Sequence, residues 1–506
     1  MNDLETHLVD DLRDTLHAIA REPGSVSASV YETSQVILCL GPTATTPAAL
    51  DWIIGQQKAD GGWGLVHLPD LRQVVTLTAV LALHQFGQSD HTRQAAAAGL
   101  AYLHQLAAQG YFMTTPSNGA ELIIPMLLAA AAKAGLTISH TPYQKMIEKG
   151  ERRRLLVQMI PQIEKTQAIF SWEAFGTEPK PEYVDSSGGV GHSPAASARW
   201  LALAQHDPAL ADKRAQVEAY LRGASAVTQI GIPDVVAAAY PTHRFEQSFV
   251  LWAMMVANLL SDGRFTPHVS PIIDALAQAI GPHGLGASDH IMPDGDDTAA
   301  ALAVLKTWGR AGDTTVLRHF EADRYFFAWH RELQSSVSIT ARAVHTLGLF
   351  GQTAPGPFQA MLAQQEANGR WPGDKWQCSW LYTTLHCFLA ALQQGAADAA
   401  QKALAAFLRH QNEDGSWGEA APTPVETAYA LLALQAASRA GHTEEAIAQS
   451  RQRGFAYLQE RYQPGRPFLD KLWLTKYEYN PRQIDRAFVL CSLLAELAER
   501  QNHTDW

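Results

Sequence analysis

Three stretches of the chain repeat one order of residues: Gln56-Gln57-Lys58-Ala59-Asp60-Gly61-Gly62-Trp63-Gly64, Gln364-Gln365-Glu366-Ala367-Asn368-Gly369-Arg370-Trp371 and Gln411-Asn412-Glu413-Asp414-Gly415-Ser416-Trp417-Gly418. In each, Gln ends one helical segment, an Asp/Asn-Gly turn reverses the chain, and Trp stands in front of the next segment. This recurrence restricts the fold because it makes the chain a series of helical hairpins. Each hairpin buries one face on its neighbour, and a series that closes on itself leaves a central hollow. The segments between the turns agree. Stretches such as LETHLVDDLRDTLHAI, GAELIIPMLLAAAAKAG and AYALLALQAASRAG place apolar residues three and four apart, with Gly or Pro between segments. Strand signals are few, so the expected fold class is all-α. The Trp turns speak for architecture and leave the chemistry open, since α/α toroids carry many activities.

At 506 residues and 47% hydrophobic, the chain is long enough for two or three domains. Its net charge of -11 disfavours nucleic acid as a partner, because phosphate recognition needs a concentrated basic surface. Cys39, Cys378, Cys387 and Cys491 lie in apolar surroundings without metal-type spacing and read as free thiols in a reducing compartment. The acidic start MNDLETHLVDDL is unlike a signal peptide, and the apolar runs are short, so stable membrane insertion is not expected and the reading is cytoplasmic.

The chemistry concentrates in Asp294-Gly295-Asp296-Asp297, directly before an Ala/Leu-rich run that reads as a buried helix. An Asp can cap the free N–H groups of a helix start, where the dipole favours anions. Capping accounts for one or two carboxylates and hardly for three. Clustered, partly buried carboxyls repel one another and lose hydration, so one should keep a proton and serve as an acid. Hard-cation binding is the other reading of such a cluster.

Asp-x-Asp-Asp followed by Thr-Ala resembles the signature of class II terpene cyclases, and the Gln-turn-Trp elements are similar to the QW motifs of that group. Further stretches look like copalyl diphosphate synthases: Ser27-Ala28-Ser29-Val30-Tyr31-Glu32-Thr33, Gly119-Ala120-Glu121-Leu122-Ile123-Ile124-Pro125, Ser193-Pro194-Ala195-Ala196-Ser197-Ala198, Asp374-Lys375-Trp376 with Tyr382-Thr383-Thr384-Leu385-His386, and Leu472-Trp473-Leu474-Thr475-Lys476 with Tyr479 and Pro481. The resemblance implies two α/α-barrel domains in a βγ architecture with the active site between them. Residues 1–20 would rejoin 236–506 as the β domain, and residues 21–235 would be the inserted γ domain, a boundary guessed from Pro placement. It implies that Asp296 protonates a terminal alkene, with Asp294 and Asp297 tuning it and hydrogen-bonded to it. Thr340 falls where many relatives have an Asn supporting the acid, with His386 an alternative support. Phe170 occupies the place of a base His in ent-copalyl relatives, so the usual base is absent.

An isolated alkene is a feeble base, so the pocket must exclude water, fold the chain and stabilise tertiary cations. Aromatic faces do this without offering a nucleophile, and Trp376, Tyr382, Phe326, Phe327 and Trp329 are the candidates. By resemblance the diphosphate falls to Arg72 and Lys476, with Arg244 and Arg486 behind them, and salt bridges are the competing account of all four. Mg²⁺ is implied as cofactor. Of the acidic cluster that plant relatives link to magnesium, Phe112–Asn118 lacks every member, and Glu121 alone persists as a metal candidate.

The function expected is therefore cyclisation of a small-molecule prenyl diphosphate, geranylgeranyl diphosphate favoured, to a bicyclic copalyl-type or rearranged diphosphate. A class I terpene synthase would act downstream. Farnesyl diphosphate giving a drimenyl-type product is the near alternative; squalene-type cyclisation, a protein prenyltransferase subunit with zinc, and a non-catalytic toroid are the others. Asp10-Asp11-Leu12-Arg13-Asp14 fits the class I metal motif literally, but its would-be partner beginning at Asn2 overlaps it in the same N-terminal helix, so it reads as a solvated acidic face.

Overall fold

The computed structural model describes residues 3–114, 118–329, 332 and 334–504. Thr115, Pro116 and Ser117 of the segment before Glu121, and Asn2 of the N-terminal motif, lie outside the described residues. Among the described residues the structure is helical, apart from one short strand pair in which Trp473–Leu474 runs antiparallel to Glu478–Tyr479.

The chain forms two compact units. One comprises Met1–Gly24, Thr242–Leu472 and Asn480–Trp506, the other Ser25–Pro241 with Trp473–Tyr479. The junctions thus fall a few residues beyond those guessed from proline placement, because helix Asp3–Arg21 and its trailing turn precede the first crossing. The strand pair belongs to the second unit, since Lys476 in its turn is buried among that unit's carboxylates.

In the first unit, six helices pack each against the next and the last against the first: His243–Val256, Gly295–Thr307, Val337–Leu349, Trp380–Gln393, Pro424–Arg439 and Arg482–Thr504. These inner helices are apolar and buried almost all round, as Pro424–Arg439 shows with an unbroken buried run from Val425 to Ala437. The helices between them lie outside and bury one face only; Ala397–Arg409 buries Ala399, Ala400, Ala403, Leu404, Ala406 and Phe407. Helix Asp3–Arg21 fills the sixth outer place, against Arg482–Thr504 and His243–Val256. Its acidic run is only partly a solvated face. Asp10 and Asp14 are exposed, but Asp11 is buried, accepts from Tyr462 Oη at 2.8 Å and pairs with Arg486 at 2.8 Å.

The second unit closes a smaller ring from Val30–Leu40, Pro69–Phe86, Ala120–Lys133, Pro194–Ala204 and the 3₁₀ segment Gln167–Ala174, which takes a helix's place between Ala120–Lys133 and Pro194–Ala204. Among the described residues no helix is long and apolar enough to cross a membrane.

The repeated turns are identical in their bonding. Trp63, Trp371 and Trp417 are fully buried, and their Nε1–H groups donate to Ile53 O, Met361 O and Phe407 O at 2.7, 2.7 and 2.8 Å. Each backbone N–H donates to a Thr hydroxyl of the next inner helix: Thr76, Thr384 and Thr427. Gln57, Gln365 and Gln411 each bridge the turn carbonyl to a carbonyl of the following outer helix. Gly61, Gly369 and Gly415 have φ near +90° (87°, 92°, 89°), and a Cβ there would lie within 2.2–2.5 Å of that helix's carbonyl oxygen, so only Gly serves. Two further turns keep the bond without the Trp: Val190 N donates to Ser197 Oγ, and Leu285 N to Thr298 Oγ1, both at 2.9 Å. Sequence inspection missed them because the Trp had been replaced. The second of these leads straight into Asp294.

Trp371→Ala removes a buried indole and its hydrogen bond to the Met361 carbonyl. The expected loss is ~3–5 kcal/mol, read as a lowered calorimetric transition, with Trp371→Phe losing less.

Candidate active site

Asp294 is the N-cap of the inner helix Gly295–Thr307, with extended φ/ψ of -132° and 160°. Its Oδ1 accepts from the backbone N–H of Asp296 at 2.9 Å and of Asp297 at 2.8 Å, the pairing that a helix start leaves open. Its carboxyl also shares a hydrogen bond with that of Asp297, which accepts from Ser248 Oγ at 3.0 Å. Burial, above all, and the Asp297 charge push Asp294 well above the usual carboxylate range, while burial pushes Asp297 up to about 7. The pair therefore holds a proton between its two carboxyls. Three carboxylates at the mouth of a core thus divide into a protonated cap of two and a separate third.

The third, Asp296, keeps 19% of its side chain exposed and pairs through Oδ1 with Nη1 of Arg342, which is 0% exposed. Arg342 lies on the neighbouring inner helix Val337–Leu349. Its Nη2 donates to Tyr382 Oη and, at 2.9 Å, to His386 Nε2 on the helix after that. The guanidinium carbon sits 4.3 Å from the Phe249 ring centroid, 5.5 Å from Trp252 and 5.9 Å from Tyr382. Burial raises the Asp296 carboxyl, and Arg342 opposes that rise without cancelling it. His386 is driven well below its ordinary value by burial and by Arg342. Because arginine only donates, the Nε2 of neutral His386 must be the acceptor and its proton sits on Nδ1, which has no partner among the described residues.

Asp294, Asp296, Asp297, Tyr382 and His386 are thus brought together, but through a residue that sequence reading passed over. The signal was present: Arg342 is the one charged side chain within SVSITARAVHTLGLF. Thr340, two positions earlier, turns elsewhere, donating to Ser336 O at 2.8 Å and accepting from Phe326 N at 3.1 Å. The Asp296 carboxyl is paired with Arg342, while Asp294 reaches Asp296 only through the Asp296 backbone N–H, and Thr340 does not reach it. Trp376 stacks edge-on against Trp329 at 5.2 Å, and its backbone N–H is held by Asp374, whose other oxygen accepts from the Ser336 and Ser338 hydroxyls at the start of the Arg342 helix. Phe326 is wholly buried, and Phe327 packs edge-on against Tyr325.

The cations named for diphosphate are committed to protein partners. Lys476 is fully buried; its ammonium meets Glu173 at 2.8 Å, Glu32 at 3.1 Å and Ser193 Oγ at 2.7 Å, and lies 4.5 Å from the Phe170 ring. Three N–H donors and three acceptors leave none for a ligand. Arg72 grips Asp60 at 2.6 and 2.8 Å and the Trp63 carbonyl at 3.2 Å, as part of the first repeat turn. Arg244 grips Asp289 at 2.7 and 2.8 Å and Gln247 at 2.8 Å. Arg486 is taken by Asp11. In each case the partner carboxylate is remote in sequence or reads locally as a turn residue, so only the fold reveals the pairing. Glu121 faces Arg153 at 3.4 Å, and among the described residues no three His, Cys, Asp or Glu side chains gather to hold an ion. One carboxylate opposed by a guanidinium does not fit a magnesium site made by the protein alone.

An aspartate in the first turn of an inner helix of an α/α barrel, paired to a buried arginine of the next inner helix, is the centre that the relatives put in context. Residues 322–476 match the family described as Squalene-hopene cyclase C-terminal domain. Over 508 aligned residues the chain is 40% identical to the (+)-kolavenyl diphosphate synthase of Herpetosiphon aurantiacus, covering 96% of this chain and 97% of the relative. The chain belongs to the class II terpene cyclases. Among solved structures, the cyclase superposes on ent-copalyl diphosphate synthase from Streptomyces platensis with a TM-score of 0.81 at 28% identity, covering 96% and 99% of the two chains. It is also 29% identical to the ent-copalyl diphosphate synthase of Streptomyces sp., over 96% of its own length and 95% of the relative. These relatives are named as terpene diphosphate synthases, and the cyclase is an enzyme.

Because the Asp297 carboxyl rises from its unfolded range to about 7, the folded protein holds a proton that the unfolded chain gives up. Its stabilising share is full at low pH and is lost as pH rises towards 7 and beyond. Melting scans from pH 5 to 8 should show a steeper fall for wild type than for Asp297→Asn.

Proposed function

We propose that this cyclase protonates the terminal alkene of geranylgeranyl diphosphate and closes it to a bicyclic diphosphate of the copalyl type or a rearranged relative of it. The observation carrying this reading is the Asp296–Arg342 pair, in a chain 40% identical to a kolavenyl diphosphate synthase along nearly its whole length. Asp296 acts as the acid. Arg342 occupies Oδ1, so the proton is placed on Oδ2, on the partly exposed side chain at the barrel mouth. The proton adds to the terminal alkene carbon, the π electrons of successive double bonds form the ring C–C bonds, and a proton finally leaves the tertiary cation. The C–O bond to diphosphate is not broken.

Arg342 is a positioning residue in this scheme. When the proton departs, Asp296 is left as a buried carboxylate, and a fixed guanidinium beside it lowers the cost of that charge. Burial favours the protonated form of Asp296 before the reaction, and Arg342 makes it a stronger acid than burial alone would allow. Trp376 with Trp329 and Tyr382 are placed as cation-stabilising faces. Magnesium enters this reading only as the counter-ion with which a diphosphate is commonly presented to protein, and no step depends on it. A product that keeps its diphosphate suits a downstream class I terpene synthase, which ionises that group.

Incubation with geranylgeranyl diphosphate, followed by phosphatase and gas chromatography–mass spectrometry, should give a cyclic alcohol that is absent before phosphatase. Recovery of only linear geranylgeraniol would refute the reading. Asp296→Asn should lower kcat by at least ~10³-fold. Arg342→Met should lower kcat by ~10²–10³-fold while moving the alkaline limb of the pH profile upwards, since burial then raises Asp296 unopposed. A fall in rate with an unmoved limb would make Arg342 merely structural.

A further inference from the structure

The second unit contains a cavity of about 810 Å³ lined wholly by its own residues. It lies beside the C-terminal halves of the inner helices Val30–Leu40, Pro69–Phe86 and Ala120–Lys133, reached through Leu38, Leu81 and Ala130. Four basic side chains line it: His84, Lys133, Arg154 and Arg199. Lys133 and Arg154 are exposed and Arg199 is half-buried; none of the three has a carboxylate partner among the described residues, Arg199 Nε donating only to the Gly176 carbonyl at 3.3 Å, in a chain whose net charge is -11. Glu173 is the one acidic lining residue, and it is already committed through Oε1 to Lys476 and to the Tyr31 hydroxyl at 2.8 Å. Gln35, 3% exposed, also lines the cavity, and its amide nitrogen finds no acceptor among the described residues. The floor is apolar, built from Leu38, Leu81, Met126 and Leu127.

A volume of this order is that of a small-molecule site, and guanidinium groups without a carboxylate partner at its lining call for a planar or tetrahedral anion. An inorganic ion would satisfy the charges and leave the apolar floor wet. We propose that this cavity is a second ligand site, distinct from the Asp296 centre, that binds a phosphorylated amphiphile: a phosphate or diphosphate head held by Lys133, Arg154 and Arg199, and a hydrocarbon body on Leu38, Leu81, Met126 and Leu127. The source of the ligand is either the cyclase's own prenyl diphosphate or another lipid phosphate. The choice of probe below rests on the proposed function; the site itself does not.

The test is calorimetric titration of the full-length Asp296→Asn protein, which holds substrate without consuming it, with geranylgeranyl diphosphate, with hexadecyl phosphate and with inorganic diphosphate. Two equivalents of geranylgeranyl diphosphate should bind per chain. Charge reversal at two exposed lining positions, Lys133→Glu with Arg154→Glu, should remove one equivalent or weaken it at least ~10-fold, with the melting temperature kept. In the otherwise wild-type chain, the same two substitutions should leave cyclisation at low substrate concentration unchanged. Hexadecyl phosphate binding one equivalent, lost in the double variant, identifies a general lipid-phosphate site; its failure beside geranylgeranyl diphosphate identifies the prenyl ligand. One equivalent in the parent, or two in both proteins, overturns the proposal, as does inorganic diphosphate binding the second site as tightly as the tailed ligands. Cyclic product formation is read separately, so a chain that cyclises nothing yet loses an equivalent on charge reversal keeps this site and loses the function proposed above.

Discussion

In the proposed reaction, a carboxyl group that must give its proton to an alkene has two opposed needs, and the Asp296–Arg342 pair suits both. It has to be protonated at the outset, which burial favours, and it has to leave a tolerable anion behind, which burial alone forbids. Placing the guanidinium on one oxygen leaves the other for the proton and stabilises the anion that follows. Much of the first unit is arranged around that guanidinium: Phe249, Trp252 and Tyr382 lie over it, and Tyr382 and His386 accept its second nitrogen. A buried arginine of this kind is tolerable only with such partners, since unpaired it would cost several kcal/mol.

The barrel supplies the remaining electrostatics. Outer and inner helices alternate as hairpins, so the inner helices run the same way and their N-termini gather at one end, capped by Asp294, Ser336, Ser379 and Thr423. The positive ends of the helix dipoles meet there and favour anions within about a turn. Asp296, in the first turn of its helix, feels that field as well as Arg342. The repeat turns that hold the helices in place therefore also decide the potential at the acid. Architecture and chemistry share the residues between Leu285 and Thr298: one end of this segment keeps the repeat's backbone bond, and the other carries the carboxyl cluster.

What the sequence made legible was whatever has a local signature. Helical periodicity, the Gln-turn-Trp repeats and the Asp-rich helix start are each contained in a few consecutive residues, and the all-α toroid and the place of the carboxyl cluster at a helix start follow from them. The repeats at Val190 and Leu285 escaped because their conserved part is a backbone N–H bonded to a hydroxyl, which has no residue signature once Trp is gone. The cations escaped for a different reason. Arg72, Arg244, Lys476 and Arg486 looked available because Asp60, Asp289, Glu32, Glu173 and Asp11 become their partners only in three dimensions. Arg342 is the converse case: a charge inside an apolar run is a local anomaly and could have been noticed without any structure.

The identity of the group beside Asp296 also bears on how the acid recovers. A neutral amide donor at that place would stabilise the departing carboxylate by a hydrogen bond, whereas a guanidinium adds a full charge that persists after the proton has gone. Reprotonation must therefore overcome a stronger pull toward the anion. Here Asp294 and Asp297 matter indirectly: because they keep a proton between them and carry less negative charge than two free carboxylates, they do not add the repulsion that would otherwise favour reprotonating Asp296. Burial nevertheless outweighs Arg342 and holds Asp296 above the ordinary carboxylate range, which favours its reprotonation. Neutral His386 accepts from Arg342 at Nε2 and carries its own proton on Nδ1, so it has no free lone pair with which to take the proton of a product cation.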